Sequence, residues 1–360
     1  MNPRLKRGVE IWRSEMGALR IGWPWRFITL PERLADLPVD ALLGCLDGNR
    51  DSSEIAALAG REGEILEPLL SFLTREGLID DKRTPIPFSL RYDATTRKNR
   101  EVDDAEVNTS DPALAAFLSK FEIESGAASL LPGNRDGGRT PVLKRRTFPI
   151  EIVGAGRIAV SLGGLLLASG FSNTRFSTHL PKSHPSAKVQ PRDISGTFFR
   201  TSDLDSLKSK TLLELEKHSL FGDYESDPVS PLVIVVGRPA AESLQEWMSN
   251  DISHLIIEGL EPGSVRIGPL VIPGKSPCYG CHILWETESQ GRRSLTLDDK
   301  ESVASLTSLV AGVVAADIIN FCNDGSSALI ASTLTYSLER FISPHTQRLQ
   351  IHPACGCDWR

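Results

Sequence analysis

The stretch Phe148-Pro149-Ile150-Glu151-Ile152-Val153-Gly154-Ala155-Gly156-Arg157-Ile158-Ala159 decides the fold class of this 360-residue chain. An apolar run enters a glycine turn, and the small residues of 160–168 after it predict a helix that ends at Gly170. Strand, glycine turn and helix in this order open a nucleotide-binding α/β fold, because glycine lets a phosphate approach the helix N-terminus. The candidate nucleotide-binding residues are therefore Gly154, Gly156 and Arg157.

The carboxylates that such a nucleotide site needs are missing from the sequence. A Rossmann-type site uses an acid at the end of the second strand to hold ribose hydroxyls. Here the second strand, predicted at 173–177, runs into Thr178-His179-Leu180-Pro181. The later buried strand at 232–236 leads into Gly237-Arg238-Pro239 and supplies no ligand for magnesium. We therefore expect a degenerate motif that packs helix against sheet, and ATP binding is in doubt.

Outward from this motif, the pattern predicts more elements of one Rossmann-like α/β domain at 147–360. Strands are expected at 254–258, in two pieces within 263–274, and at 333–340 and 347–351, with a long apolar helix at 305–321.

Two cysteine pairs lie in this domain, Cys278 with Cys281 and Cys355 with Cys357. Thiolates one or two residues apart can turn onto one cation, so the pairs predict a closed four-cysteine site for structural zinc. The alternatives are four reduced cysteines, disulfides, or c-type haem attachment at the Cys-x-x-Cys-His pattern, which requires export. His282 and His352 flank the pairs as substitute ligands or as neighbouring residues outside the ligand set.

Composition indicates an ordinary cytoplasmic protein. The net charge of −6 argues against nonspecific nucleic-acid binding, which depends on excess Lys and Arg. The basic N-terminus is followed by a charged run and not by the apolar core of a signal peptide, and no uninterrupted apolar span reaches membrane length. In a reducing compartment, clustered cysteines indicate metal more often than disulfides.

Residues 1–82 predict a separate winged-helix domain. Three short strands, at 9–12, 19–23 and 26–30, precede three helices, at 31–46, 51–60 and 64–76. The third helix carries Glu64, Glu67 and Glu76 against Arg75, so it would repel the phosphates that a DNA-binding winged helix contacts. Residues 83–146 are predicted to be a linker with one helix, at 112–121.

These segments resemble a known family. Residues 147–360 resemble the ThiF-like, ubiquitin-activating-enzyme-like fold, specifically the cyclodehydratase partner or leader-peptide-binding protein of azoline-forming peptide pathways. The resemblance rests on Gly154-Ala155-Gly156-Arg157, on Gly268-Pro269-Leu270-Val271-Ile272-Pro273-Gly274-Lys275-Ser276-Pro277-Cys278-Tyr279-Gly280-Cys281 and on His352-Pro353-Ala354-Cys355-Gly356-Cys357. The first 82 residues resemble the PqqD-like recognition element, through Asp47-Gly48-Asn49-Arg50-Asp51 and Leu73-Thr74-Arg75-Glu76-Gly77-Leu78-Ile79.

The resemblance implies a noncatalytic subunit that binds the leader of a ribosomal precursor peptide. A YcaO-type cyclodehydratase would use ATP to form thiazoline or oxazoline rings, and the ThiF-like domain would keep its zinc, form a homodimer and dock that enzyme. The leader would add as a strand along Arg26, Phe27, Ile28, Thr29 and Leu30, against an apolar wall of Leu66, Leu70 and Leu73. Two alternatives stay open: an ATP-dependent ThiF-like adenylyltransferase and a winged-helix DNA-binding regulator.

Overall fold

A computed structural model gives the fold of the chain. It describes residues 1–31, 34, 39–60, 63–81, 89–91, 99–101, 112–131, 134–177, 187–194, 199–216, 230–261, 263–291 and 302–357. These residues belong to two compact units, Met1–Leu143 and Lys144–Arg360.

The N-terminal unit is built on a three-stranded antiparallel sheet in the order β2-β3-β4. Strand β1 pairs with β5 in a separate two-stranded ladder that joins the start of the chain to the end of the third helix. The strands are β1 (Pro3–Leu5), β2 (Glu10–Arg13), β3 (Leu19–Trp23), β4 (Arg26–Thr29), β5 (Ile79–Asp81), β6 (Ser89–Arg91) and β7 (Asn99–Glu101). The helices are α1 (Val39–Gly44), α2 (Ser52–Ala59), α3 (Gly63–Arg75) and α4 (Pro112–Ala128), followed by α5 (Arg139–Thr147) across the boundary.

Local sequence accounts for these helices. Asp51 caps α2 by accepting from the Glu54 N–H, while the Glu54 carboxylate accepts from the Asp51 N–H. Helix α3 contains Pro68 and buries leucines at helical spacing, so one face packs into the core with Leu19 and Ile21 of β3.

The expected three strands and three helices are present, although much of the first helix falls at 32–33 and 35–38, outside the described residues. The expected linker differs more: it contains α4 and α5 where one helix was predicted. Gly138 explains the misinterpretation, because a Cβ there would lie 1.9 Å from the Ser125 oxygen. This glycine permits close packing on α4 and does not mark a linker.

The C-terminal unit is a seven-stranded sheet in the order β14-β13-β12-β11-β10-β8-β9. Its parallel half comprises β9, β8, β10 and β11, and the rest is antiparallel. The strands are β8 (Ile150–Val153), β9 (Thr174–Ser177), β10 (Leu232–Val236), β11 (His254–Glu261), β12 (Ser264–Val271), β13 (Ser332–Ser337) and β14 (His345–Arg348). The predicted pieces at 263–274 are thus one strand, β12, and the last two strands lie close to their expected positions.

The helices of this unit are α6 (Arg157–Ala168), α7 (Lys208–Glu216), α8 (Ala241–Ser249), α9 (Tyr279–Gln290) and α10 (Ala304–Asp324). Among the described residues, α10 alone is long and apolar enough to span a membrane. It packs on α6 and the sheet, with Val310, Val314 and Ile318 in the main core cluster. The Rossmann-like α/β class predicted from the glycine turn is confirmed by this parallel-rich sheet.

Candidate functional site

The glycine turn lies at the point where the strand order reverses. Strand β8 is followed in sequence by β9 on one side, whereas β10 adds on the other side. The carboxyl ends of β8 and β10 therefore border the crevice in which doubly wound folds bind ligands. Gly154 has φ +135°, and a Cβ there would lie 3.0 Å from the Val236 oxygen, so the close approach of these two strand ends requires glycine.

The three candidate nucleotide residues lie together at this crevice. Gly156 is the N-cap of α6 and provides no side chain to cap the first amides. The Arg157 guanidinium donates to the Ser302 carbonyl at 3.3 Å, which ties the start of α6 to the residues preceding α10. The turn thus keeps the backbone form of a phosphate-binding loop.

The acids of a magnesium–nucleotide site do not accompany that backbone. The sequence contains no Asp or Glu from Ile152 to Arg192, and the turn after β10 is Gly237-Arg238-Pro239. Within β11, the Glu258 carboxylate is already engaged, because its Oε2 accepts from the Arg266 Nη2 at 2.6 Å. Its Oε1 accepts a short hydrogen bond from the Tyr279 hydroxyl. The described residues therefore do not fit magnesium-bound ATP in the usual way.

Glu258 belongs to a buried polar network that joins the sheet to α9. Arg266 also donates to Glu286 Oε1 at 3.2 Å, and Glu286 lies 4.0 Å from the His282 imidazole. Burial, together with the negative charge of Glu258, raises the pKa of the Tyr279 hydroxyl, which therefore stays protonated as a donor. Sequence reasoning missed this network because its members are distant acids and bases with no motif.

The four predicted metal ligands converge in the structure. The Sγ atoms of Cys278, Cys281, Cys355 and Cys357 all lie within 4.8 Å of one another. Cys278 Sγ is 3.8 Å from Cys281 Sγ and 3.3 Å from Cys355 Sγ, and Cys281 Sγ is 3.3 Å from Cys357 Sγ. A tetrahedral zinc with Zn–S bonds of about 2.3 Å separates its sulfurs by about 3.8 Å, so the cluster fits a metal ion of this kind.

The local backbone structure orients the four thiols toward one another. Cys278 is the N-cap of α9 and Cys281 lies in its first turn. Between them, a Cβ on Gly280 would be 3.3 Å from the sulfurs of both Cys278 and Cys355, tighter than ordinary contact. Gly356, at φ +70°, occupies the left-handed turn between Cys355 and Cys357, which explains how one intervening residue suffices.

The two flanking histidines lie outside the sulfur cluster. The His352 backbone N–H donates to Cys281 Sγ at 3.3 Å, while its Nδ1 accepts from the Ala354 N–H. Its Nε2 lies 3.0 Å from Glu288 Oε1, and its ring packs edge-on against Trp285. His352 therefore holds the C-terminal segment on α9 through contacts that lie outside the four-sulfur cluster.

The charge state of the cluster indicates what a cation would add. Burial raises the pKa of Cys278 and Cys357 to about 12 and that of Cys355 to about 11. Burial, the largest single effect, acts in the same direction on Cys281, but the hydrogen bonds from the His352 N–H and from the neighbouring cysteines together outweigh it and lower that pKa. A divalent cation would supply the positive charge that four neighbouring thiolates need.

The predicted peptide-binding residues divide into two groups. Arg26, Phe27, Ile28 and Thr29 form β4, which pairs with β3 on one side and with no described residue on the other. Leu30 and the three leucines of α3 are buried in the core of the unit. Leu66, Leu70 and Leu73 therefore contribute to the core of the unit, because helical periodicity identifies a buried face but does not say what covers it. That these leucines form the apolar side of the peptide groove stays a prediction.

Comparison with known proteins supports the fold. No protein-family model and no curated protein matches the sequence. Among solved structures, E. coli MccB with ATP matches at 14% identity and a TM-score of 0.64, over 99% of each chain. The microcin C7 biosynthetic enzyme MccB in complex with N-formylated MccA matches at 14% identity and a TM-score of 0.65, also over 99% of each chain. PaaA matches at 16% identity and a TM-score of 0.62, over 96% of this chain and 100% of PaaA. The chain therefore shares the fold of MccB over nearly its whole length, and this likeness supports the ThiF-like fold expected for residues 147–360.

Proposed function

We propose that this chain is a noncatalytic subunit that binds the leader of a ribosomal precursor peptide and presents it to a YcaO-type cyclodehydratase, which forms thiazoline or oxazoline rings. The observation that carries the proposal is the combination of a phosphate-loop backbone with no free carboxylate at the described strand ends beside it. Such a scaffold keeps the shape of an adenylating enzyme without the acids that would hold magnesium and ribose.

The peptide would bind to the N-terminal winged-helix, PqqD-like unit, along β4. The Leu30 N–H donates to the Leu19 carbonyl, and the alternation of antiparallel pairs then makes Ile28 another residue bonded to β3. The N–H groups of Phe27 and Thr29 consequently face the edge away from β3. An extended peptide can use those donors for backbone pairing, as peptides do in β-strand addition.

The four-cysteine cluster would hold structural zinc in this proposal. Its role is to fix the C-terminal segment to the start of α9, and it takes no part in chemistry. We further propose a cytoplasmic homodimer in which the ThiF-like unit docks the ring-forming enzyme, and we assign neither nucleic acid nor membrane as a partner.

A second candidate function is ATP-dependent adenylation of a peptide or carrier-protein carboxylate. The structural match to MccB with ATP favours it, because the glycine turn and the uncapped start of α6 are retained. The two candidates differ in one measurement. Pyrophosphate exchange by the purified chain, with its peptide and without any companion enzyme, would establish adenylation and overturn the noncatalytic role.

The binding test first looks beside the gene for a short reading frame rich in Cys, Ser and Thr, and then measures binding of its fluorescently labelled leader to the full chain. We expect a micromolar Kd, about −8 kcal/mol, typical of a strand-adding module. Thr29→Pro removes a donor from the free edge of β4 and should abolish binding. Ile11→Pro is the matched control, because pair alternation places its N–H on the opposite edge of the sheet, at β2. Equal loss in both variants, or no binding by the parent chain, would contradict peptide addition at β4.

A further inference from the structure

The outer face of the N-terminal sheet carries an aromatic and cationic cluster that the proposed function does not use. Strand alternation places Trp12, Arg20 and Phe27 on the face opposite to Ile21, which is in the core. The Trp12 and Phe27 rings meet edge-on at a centroid distance of 5.3 Å. They meet above Gly22, where a Cβ would lie 2.5 Å from the Arg26 oxygen. Phe27 remains 42% exposed.

Arg20 extends from the central strand toward the free edge of β4. Its Cα pairs with Thr29, and its guanidinium carbon lies 4.8 Å from the centroid of the Phe27 ring. Its Nε is shielded from solvent and has no hydrogen-bond partner among the described residues. A shielded guanidinium donor held over an aromatic ring is suited to a carboxylate, which matches its planar fork.

The surrounding charge favours the same ligand. The sequence of β1–β4 and its turns contains six basic residues and two acidic ones, namely Arg4, Lys6, Arg7, Arg13, Arg20 and Arg26 against Glu10 and Glu15. Arg13, on the opposite face of β2 from Trp12, is already paired with Asp40 at 2.9 Å. Arg20 is therefore the cation of this sheet placed on the outer face beside β4 and bonded to no described carboxylate.

We propose that the outer face of β4 selects an acidic side chain in the bound peptide, and that Arg20, which lies over the Phe27 ring, binds that side chain. This proposal rests on the proposed function, because it requires a strand added to β4. A strand there lies about 4.8 Å beyond β4, and its alternate side chains share the outer face with Phe27. Since Arg20 already reaches over β4, an Asp or Glu at one of those positions meets its guanidinium, while the intervening positions face inward.

The experiment pans a display library of random linear twelve-residue peptides against the full chain and then measures the selected peptides in solution. We expect sequences with Asp or Glu at one position or at two positions separated by a single residue. Replacing that acid by its amide, or Arg20 by Ala, should weaken binding about tenfold or more, as loss of a charge-assisted bond does. Arg13→Ala removes the same charge from the other face and should leave affinity unchanged.

A charge exchange keeps the test decisive if Arg20→Ala disturbs the sheet. The Arg20→Glu variant should no longer bind the acidic peptides, but it should bind versions of these peptides in which Lys replaces the acid. One result would overturn the acid-reading role and leave the proposed function intact. In that result, the selected peptides lose binding to Thr29→Pro, but they bind equally well when their acid is replaced by its amide or when Arg20 is replaced by Ala. Peptides that bind Thr29→Pro unchanged, or a library that yields no binder, would overturn both.

Discussion

If the four-cysteine cluster holds zinc as proposed, removal of this cross-link should destabilise the C-terminal unit by an amount that can be worked from the structure. Cys278 and Cys355 are 77 residues apart in sequence, and their sulfurs lie 3.3 Å apart. If a metal joins them, the chain-entropy relation for a cross-link gives about 4.5 kcal/mol for a loop of this length. For a unit of this size, about 2–4 °C of Tm accompanies each kcal/mol, so Cys355→Ser should lower the Tm by about 9–18 °C.

The assay is thermal unfolding followed by circular dichroism, with zinc measured on the same samples. Cys45→Ser is the control, since Cys45 lies outside the cluster and in the N-terminal unit. A chelator that strips the parent chain should reproduce the loss in Cys355→Ser and should have no further effect on that variant. Well-folded parent protein with less than about half a zinc per chain would refute the assignment, because a closed four-thiolate site binds its metal tightly.

Three further changes test the packing around the candidate sites. Gly22→Ala should destabilise the N-terminal unit by about 1–3 kcal/mol in urea unfolding, because its Cβ meets a backbone oxygen at 2.5 Å. Gly17→Ala is the control, because Gly17 also has positive φ but has open space where the Cβ would lie. An equal loss of stability in both variants would mean that the positive φ alone causes the effect. Glu258→Gln should cost about 1.5–3 kcal/mol by replacing one of the two carboxylates that Arg266 contacts with a neutral amide, and an unchanged urea midpoint would contradict this. Burial lowers the pKa of His254, so the stability that its neutral form contributes should be lost as pH falls below about 6.5. His254→Phe should flatten that dependence between pH 7 and 5, and an equally steep profile would exclude His254 as its source.

Local sequence patterns predicted much of the architecture. The apolar run, glycine turn and small-residue helix at 148–168 predicted β8 and α6, because each signal acts within a few residues of the structure it produces. The Asp51 cap of α2 likewise agrees with the helix predicted at 51–60. The cysteine spacing predicted one four-sulfur cluster, since a metal site constrains the ligand types and the spacing within each pair.

Contacts between distant segments did not follow from such patterns. Gly138, in a stretch with the composition of a linker, is a close-packing residue whose Cβ would overlap a helix backbone. The leucines of α3 show the same limit, because periodicity predicts that one face is apolar and does not predict whether a core or a ligand covers it.

The sequence by itself determined the α/β class, the two cysteine pairs and the loss of acids from the nucleotide motif, all of which are set by residue identity at short spacing. The tertiary structure alone decided that Arg266 and Tyr279 donate hydrogen bonds to the Glu258 carboxylate, and that Arg20 lies over Phe27 at a free sheet edge. The physical reason is that these contacts depend on how strands and helices pack against one another, and no spacing along the chain encodes that packing.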